Sequence, residues 1–446
     1  MDTAETVEQI EAQLAPPSEA EVAEADYQRF VDDNLPRNFA GHFIHGMLGM
    51  TGFRIFNAPT FLPAYLHIIT GHNDLLVGLG QSLQQLGGVV SPIIGASQVE
   101  HRKRVLPVSM LMGLMMRLQI VGIALAAWFL QGTVRVVVVM GLLLLLGLFQ
   151  GAQGVAFQML LAKVIPTRVR GRLQALRNLC GGMVSAGLAL VAGQYLIGGK
   201  VLGNGYATTF FLAAILTTIG LLLLGVLMRE PEPPVVRPKA RTWDRVREFP
   251  ALLVADRGYM YFMIAQTCAT AGRIGAPFYA LAAINIMPLT GPHGGANIGI
   301  ESLVLLGGDS VSNIVWGLTG DRLGFRATFI GAMTLWIAAT VVLILAGGPS
   351  MVLISFAGLG AAQAGFQMSS QTMVLEFGSR EDMPMRLGLS QTAQGFMNTI
   401  GPLVGGLIAV TVGYHPLFMT SIVFEAIALG LLIFVVDEPR YRKRNA

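Results

Sequence analysis

Two short strings carry the residues with the most chemical potential. Thr51-Gly-Phe-Arg54-Ile55 is followed by Ala58-Pro59, and Thr270-Ala-Gly-Arg273-Ile274 is followed by Ala276-Pro277. In each, a threonine precedes an arginine by three residues, so hydroxyl and guanidinium share one face of a helix. A guanidinium offers forked donors that suit carboxylate or phosphate, and two of them can clamp an anion. The alternative is that each arginine pairs with backbone carbonyls or with an acid such as Asp309 and only pins helices. Asn57, Gln153, Gln363 and Gln367 supply amides able to bond the hydroxyls and carbonyls of a bound molecule, and Gln363, Gln367 and Gln371 recur at helical spacing. In a membrane such amides also hold helices together. Asp309 is the candidate proton-coupling carboxylate, because a buried carboxyl can exchange its proton for the company of an arginine. A standing ion pair with Arg54 or Arg273 is the other option for it.

These groups need a frame, and composition says which. Of 446 residues, 53% are hydrophobic and 13% charged, with a mean hydropathy of +0.60. A soluble domain carries about twice that charge. The apolar residues, roughly 240 of them, match about twelve spans of ~20 residues each. A soluble enzyme and a nucleic-acid binder are excluded, despite pI 9.2 and net charge +4. Apolar segments fall at 41–68, 74–97, 105–129, 136–163, 173–197, 206–228, 258–287, 295–319, 326–347, 349–376, 386–412 and 415–436. The chain is therefore expected to be an all-α membrane protein with about twelve transmembrane helices. Arg54 and Arg273 lie thirteen and fifteen residues into their segments, about 20 Å deep at the helical rise and so near mid-membrane. A charge there must face protein, water or a ligand. Arg117 and Glu425, also within segments, read as structural, and His42 and His45 as interfacial.

The connections sort by charge. EHRKR at 100–104, Lys163 through Arg177, Arg229 through Arg257, Asp321 to Arg326, Arg380 and the terminal RYRKR hold nearly all the basic residues, and the opposite side has only Arg135 and Lys200. The positive-inside rule puts both termini in the cytoplasm, for a multi-pass protein of the cell inner (plasma) membrane. Residues 1–40 form an acidic tail with ten acidic residues against Arg29 and Arg37. A weak apolar spacing through Val7, Ile10 and Leu14 could form a short surface helix ended by Pro16 and Pro17, but the tail reads as disordered. Residues 229–257 are a cytoplasmic linker, proline-rich at first, then basic and amphipathic around Trp243. Residues 438–446 form a basic tail. Between them lie two helical bundles, 41–228 and 258–437.

The two bundles repeat each other. The Thr-x-x-Arg-Ile string recurs after 219 positions. Ala152-Gln153 precedes Phe157-Gln158-Met159 as Ala362-Gln363 precedes Phe366-Gln367-Met368. Gly95 and Arg104 keep the nine-residue separation of Gly317 and Arg326, and Arg172-Leu173 opens the fifth segment as Arg386-Leu387 opens the eleventh. Four matches in register indicate two parallel six-helix halves.

The sequence resembles the major facilitator superfamily over residues 41–437. Gly317-Leu-Thr-Gly-Asp321-Arg322-Leu-Gly324-Phe-Arg326 is similar to the family's Gly-x-x-x-Asp-Arg-x-Gly-x-Arg loop, expected between helices two and three and echoed between eight and nine. The first-half copy keeps Gly95, Arg102 and Arg104 but has Val99 at the acid, with Glu100 one position on. The resemblance implies two pseudo-symmetric six-helix bundles, a cavity lined by helices one, four, seven and ten, and conformational switch loops at these two strings. An acid and arginines at a helix end can latch a neighbouring helix in one state and release it in the other, or serve only as positive-inside anchors. Organophosphate:phosphate antiporters of the superfamily place one arginine on helix one and one on helix seven, and Arg54 and Arg273 are similar in placement. Drug antiporters carry a helix-four arginine where this chain has Gly147, and their Gly-Pro-x-x-Gly-Gly element belongs in helix five, whereas Gly401-Pro-Leu-Val-Gly405-Gly406 lies in segment eleven.

The expectation is a secondary active transporter working by alternating access on a small, anionic molecule, with protons as coupling ion and no cofactor. A proton-coupled exporter of neutral or cationic compounds is the nearer rival. A non-transporting membrane sensor or assembly factor, with the acidic tail as its binding arm, is the other. No phosphate-cradling loop or metal-ligand spacing points to an enzyme.

Overall fold

The computed structural model describes residues 19–99, 102–232, 253–254, 256–291, 293–377 and 383–437. Of the features named above, the pattern through Val7–Leu14, Glu100, the Trp243 stretch, Arg380 and the basic end of the chain lie outside the described residues.

Backbone in lipid must satisfy its own hydrogen bonds, and helices are the local solution. Twelve spans follow one another. In the first half they are span 1 (Leu35–Asn57, resuming as Phe61–Ile69), span 2 (Asp74–Val99), span 3 (Leu106–Phe129), span 4 (Gly132–Val164), span 5 (Thr167–Val191, ending in a π-turn over Ala192–Ile197) and span 6 (Gly205–Leu227). In the second they are span 7 (Arg257–Gly272, continuing through a 3-10 turn Arg273–Phe278 to Tyr279–Ala282), span 8 (Gly294–Leu323), span 9 (Phe325–Ile344), span 10 (Pro349–Glu376), span 11 (Met383–Val412) and span 12 (Tyr414–Phe434). Pro36, Pro107 and Pro349 open spans 1, 3 and 10, where a missing N–H costs nothing. Asn204 and Asp256 cap spans 6 and 7 by accepting from the backbone N–H groups of Ala207 and Tyr259. A single residue, Gly324, joins spans 8 and 9; its φ of 90° is a conformation that favours glycine.

The acidic segment is helical in part. Glu19–Asp33 forms a helix ahead of span 1, tied to the end of span 4 by Tyr27 Oη donating to Lys163 O at 3.2 Å and to the start of span 5 by Arg168 pairing with Asp32 at 2.7 Å. The disorder expected of residues 19–33 is replaced by this docking on the basic ends of spans 4 and 5.

Among the described residues, nine helices are long and apolar enough to cross a bilayer by hydropathy alone, and spans 1, 2 and 7 are not among them. The shortfall has a local cause. Spans 1 and 7 are broken in the middle and hold Arg54 and Arg273, and span 2 holds Gln81, Gln84 and Gln85. These three face the interior of the protein rather than lipid for much of their length.

Spans 1 and 6, 2 and 4, 3 and 4 pack in the first half, and 7 and 12, 8 and 10, 9 and 10 in the second. Between halves the main packings are span 2 on span 11 and span 5 on span 8. These two pairs exchange under the repeat, as a two-fold relation requires. At the 5–8 seam a Cβ on Gly193 would meet Gly299 Cα and Gly295 O, so the backbones touch as small residues allow in membranes.

Candidate functional site

The two broken helices meet at a polar cavity. Span 1 stops at Asn57 before Ala58-Pro59, and span 7 gives way at Gly272 to a turn containing Pro277. Backbone freed by such breaks is tolerated at membrane depth where it lines a cavity. The cavity, of about 140 Å³, is lined by Asn57, Pro59, Gln81, Gln85, Thr270, Arg273, Pro277, Gln363 and Asn398 among others. Among the described residues Arg273 is its only lining cation. Its guanidinium carbon lies 5.7 Å from the Trp336 ring centre and 5.2 Å from that of Phe366, held by cation–π attraction. Arg273 makes no ion pair among the described residues, and its buried Nε has no hydrogen-bond partner among them. Both arginines also sit at the C-terminal ends of their helices, where the backbone dipole favours a cation.

Arg54 has a different setting. Its Nη1 lies 2.9 Å from Asp309 Oδ2 and donates to Ser310 Oγ at 3.3 Å. This ion pair joins span 1 of one half to span 8 of the other. A Cβ on Gly182 of span 5 would press on the same Ser310 and, at 2.8 Å, on Arg54 Nη1, so glycine keeps the space in which they meet. Arg54 does not line the Arg273 cavity.

The remaining site residues divide. Thr270 and Gln363 reach the cavity wall, although Thr270 Oγ1 also donates to Gln266 O of its own helix at 2.8 Å. Thr51 is buried and donates to Gly181 O at 3.3 Å, joining spans 1 and 5. Gln153 lies half-buried and off the cavity wall. Gln371 lines a neighbouring cavity of about 260 Å³ between spans 10 and 11, which shares Asn398 with the first. Gln367, exposed, falls between Gln363 and Gln371 on one helical face.

Two amide relays stand beside the wall. Gln84 Nε2 donates to Asn57 Oδ1 at 2.7 Å and to Gln150 Oε1 at 3.4 Å. In the second half Ser390 donates to Gln266 Oε1 at 2.8 Å and Gln394 donates to Ser390 at 3.2 Å. Sequence reasoning missed Gln81, Gln85 and Asn398; polar residues clustered on otherwise apolar spans 2 and 11 were the available signal.

At the two loop strings, Arg326 donates to Leu432 O and Ile433 O, both at 2.8 Å, tying the start of span 9 to the end of span 12. Arg104 pairs with Glu232 at 3.0 Å, tying the start of span 3 to the chain beyond span 6. The two arginines thus do equivalent work in each half. Arg102, Asp321 and Arg322 are exposed, Gly95 lies in the last turns of span 2, and Gly317 lines a cavity of about 590 Å³ between spans 5 and 8. Arg117 donates to Thr217 O and Gly113 O, both at 2.7 Å, and Glu425 is buried beside Gly272. His42 and His45 are not interfacial: both are buried in the first half, 5.2 Å from the Phe157 ring centre. Among the described residues no group of three or more His, Cys, Asp or Glu is placed to hold a metal.

The seam is closed on one face and open on the other. On the face opposite the termini, Tyr414 Oη donates to Asp74 Oδ2 at 2.6 Å, and Asp74 Oδ1 meets His67 Nδ1 at 2.8 Å. Thr60 Oγ1 and Ser302 Oγ bond at 2.6 Å, and Gly193 abuts Gly299. On the terminal face the described ion pairs Lys163–Glu230, Arg104–Glu232 and Arg386–Asp256 each stay within one half. There the 590 Å³ cavity between spans 5 and 8 separates the halves.

Two six-span halves, closed at one end around a central polar cavity and parted at the other, define a secondary transporter. The family model described as Major Facilitator Superfamily matches residues 43–300 and 278–446, and the chain belongs to that superfamily. It is a multi-pass membrane transporter of small molecules, not an enzyme. No curated protein matches the sequence. Among solved structures, a point mutant of the nucleoside transporter NupG is similar, with 14% identity, a TM-score of 0.68 and 89% of this chain and 98% of that one covered. A D-xylose-proton symporter has 13% identity and a TM-score of 0.65, covering 91% and 98%. At such identity the likeness is one of fold.

Proposed function

We propose that the chain moves a small organic anion by alternating access, with Arg273 as the binding cation and Asp309 as the proton-responsive carboxylate. The observation that carries this is a guanidinium on a cavity wall with aromatic rings beside it and, among the described residues, no carboxylate to neutralise it. Such a group is costly at membrane depth unless an anion visits it. Amides of Asn57, Gln81, Gln85, Gln363 and Asn398 would bond the rest of the substrate. The volume suits a small molecule, since an apolar cavity near 150 Å³ holds about a benzene. We read one arginine on each half as similar in placement to those of organophosphate:phosphate antiporters, with Arg54 turned to Asp309. Protonation of Asp309 would release Arg54 to join Arg273 on the anion. Thr51, Thr270, Gln153 and Gln367 complete the set for the other stages of the cycle, and the loops at Gly95–Arg104 and Gly317–Arg326 act as switch elements.

The charge pattern of the connections supports an orientation with both termini in the cytoplasm of an inner-membrane protein, so the parted face is inward. The halves correspond to residues 41–228 and 258–437, joined by 229–257 and flanked by tails 1–40 and 438–446. A second reading is favoured by the amide-rich wall. The two similar structures are a nucleoside transporter and a xylose–proton symporter, and a neutral polar substrate would bond the same amides, with Arg273 held by Trp336 and Phe366 alone.

The test is thermal stabilisation of the purified protein by carboxylates, organophosphates, nucleosides and pentoses, followed by uptake of the best ligand into proteoliposomes. Arg273→Gln is expected to abolish stabilisation by the anion, and Arg273→Lys to weaken it at least tenfold because the fork is lost. Stabilisation by nucleosides or pentoses alone, unchanged in Arg273→Gln, establishes the second reading instead.

A further inference from the structure

Span 8 carries a second carboxyl that the binding site does not use. Glu301 lies eight residues before Asp309, toward the closed end of the seam. It is fully buried, and neither carboxyl oxygen has a hydrogen-bond partner among the described residues. Its chain neighbour Ser302 is joined across the seam to Thr60 at 2.6 Å, and one turn of helix away Gly299 abuts Gly193 of the other half. The carboxyl therefore sits where the halves are pressed together.

Tyr206 of span 6, in the other half, lies within electrostatic reach of Glu301. The Tyr206 hydroxyl is buried without a described partner, as is that of Tyr65, whose ring centre lies 5.7 Å from that of Tyr206. Arg135 lies within electrostatic reach of Tyr65. Tyr195, on the π-turn packed against span 8, is 62% exposed and turned outward. No described cation from spans 5, 9 or 10 interacts with Glu301. A charged carboxylate in this fully buried place would have no cation or donor among the described residues, a cost of several kcal/mol. The neutral acid is the form that the shut seam accommodates. When the halves part at Thr60–Ser302 and Gly193–Gly299, water reaches the carboxyl and solvates its charge.

We propose that Glu301 is a proton-binding site of the gate opposite the termini, protonated while the seam is shut and releasing its proton to that compartment when the seam opens. The O–H bond of the acid breaks, the electron pair stays on the carboxylate, and the proton passes to the entering water. Opening and proton release are then one event, whatever the substrate. The sign follows: the shut state binds one more proton, so it is favoured at low pH, and the open-to-shut ratio rises as much as tenfold per pH unit. Glu301 and Asp309 form two proton stations on one helix, one at the gate and one at the ion pair between the halves.

Paired spin labels measure this directly. Gln131→Cys and Ser350→Cys place labels on exposed positions where spans 4 and 10 begin, one on each half at the closed face, in a Cys180→Ser, Cys268→Ser background that also carries Asp309→Asn to remove the other carboxyl. With Glu301 present, the long-distance population is expected to grow with rising pH by up to tenfold per unit. With Glu301→Gln it is expected to stay short and flat across the same range. Glu301→Asp, which keeps the acid, is expected to keep the response at a displaced midpoint. An unchanged pH response in Glu301→Gln, or none with Glu301 present, overturns the proposal. Should Glu301→Gln fail to fold, loss of the response in folded Glu301→Asp overturns it and retention supports it.

Discussion

Substituting Arg54 and Asp309 singly and together measures the tie between the halves. The pair is 2.9 Å apart, with side chains 21% and 11% exposed. Removing one member of a buried ion pair costs about 3–5 kcal/mol, mostly from the charge left behind. Partial exposure lets water solvate that charge, so about 2–3 kcal/mol is the appropriate figure here. Asp309→Asn should be the milder change. It leaves Arg54 with Ser310 Oγ at 3.3 Å, and the amide oxygen still accepts. Arg54→Gln leaves Asp309 with a carboxylate and only a neutral amide in place of the guanidinium. The double variant strands no charge and should be no less stable than the worse single, a coupling of about 2 kcal/mol. Denaturation midpoints of the four proteins in one detergent at neutral pH provide the cycle. Additivity within about 0.5 kcal/mol would show that the two groups do not sense each other, and the assignment of Asp309 as partner of Arg54 would fall.

Two further outcomes follow from the packing. Gly193→Val pushes a side chain into Gly299 Cα and Gly295 O; overpacking of this kind costs about 1–3 kcal/mol, which disfavours the shut seam by roughly 5- to 150-fold. Thiol labelling of Ser302→Cys, buried in the parent, should accelerate accordingly in a background lacking Cys180 and Cys268, and equal rates would refute the seam. Asp256→Ala removes both the cap on Tyr259 N and the partner of Arg386, which lies 2.8 Å away and stacks 4.6 Å from the Tyr259 ring centre. A loss of about 2–4 kcal/mol is expected, read as a lowered melting midpoint; Asp256→Asn, which still caps, should recover about 1 kcal/mol of it.

Particular residues show how far the chain could be read. The two Thr-x-x-Arg-Ile strings and the Pro59 and Pro277 that follow them stand where spans 1 and 7 break, whereas hydropathy reads 41–68 and 258–287 as unbroken, and Pro402 sits inside span 11 without a break. Glu301 escapes such a reading because a single acid near a helix start looks peripheral until its face is known. Gln81, Gln85 and Asn398 escape it for the same reason. The helix at Glu19–Asp33 is hidden by its charge, part of which Arg168 at the start of span 5 balances.

Hydrophobic lengths, the loop charges and the internal repeat belong to the sequence by itself. Each is a local property or a comparison of the chain with itself, and together they determine twelve spans in two related halves. The partner of Arg54 was not readable in this way, since Asp309 is 255 residues distant and Arg273 offered the same chemistry to it. Which arginine is neutralised, which faces the cavity and which end of the seam is shut depend on how the two halves are docked. Docking is a sum of many weak contacts between distant residues, and only the tertiary structure adds them up.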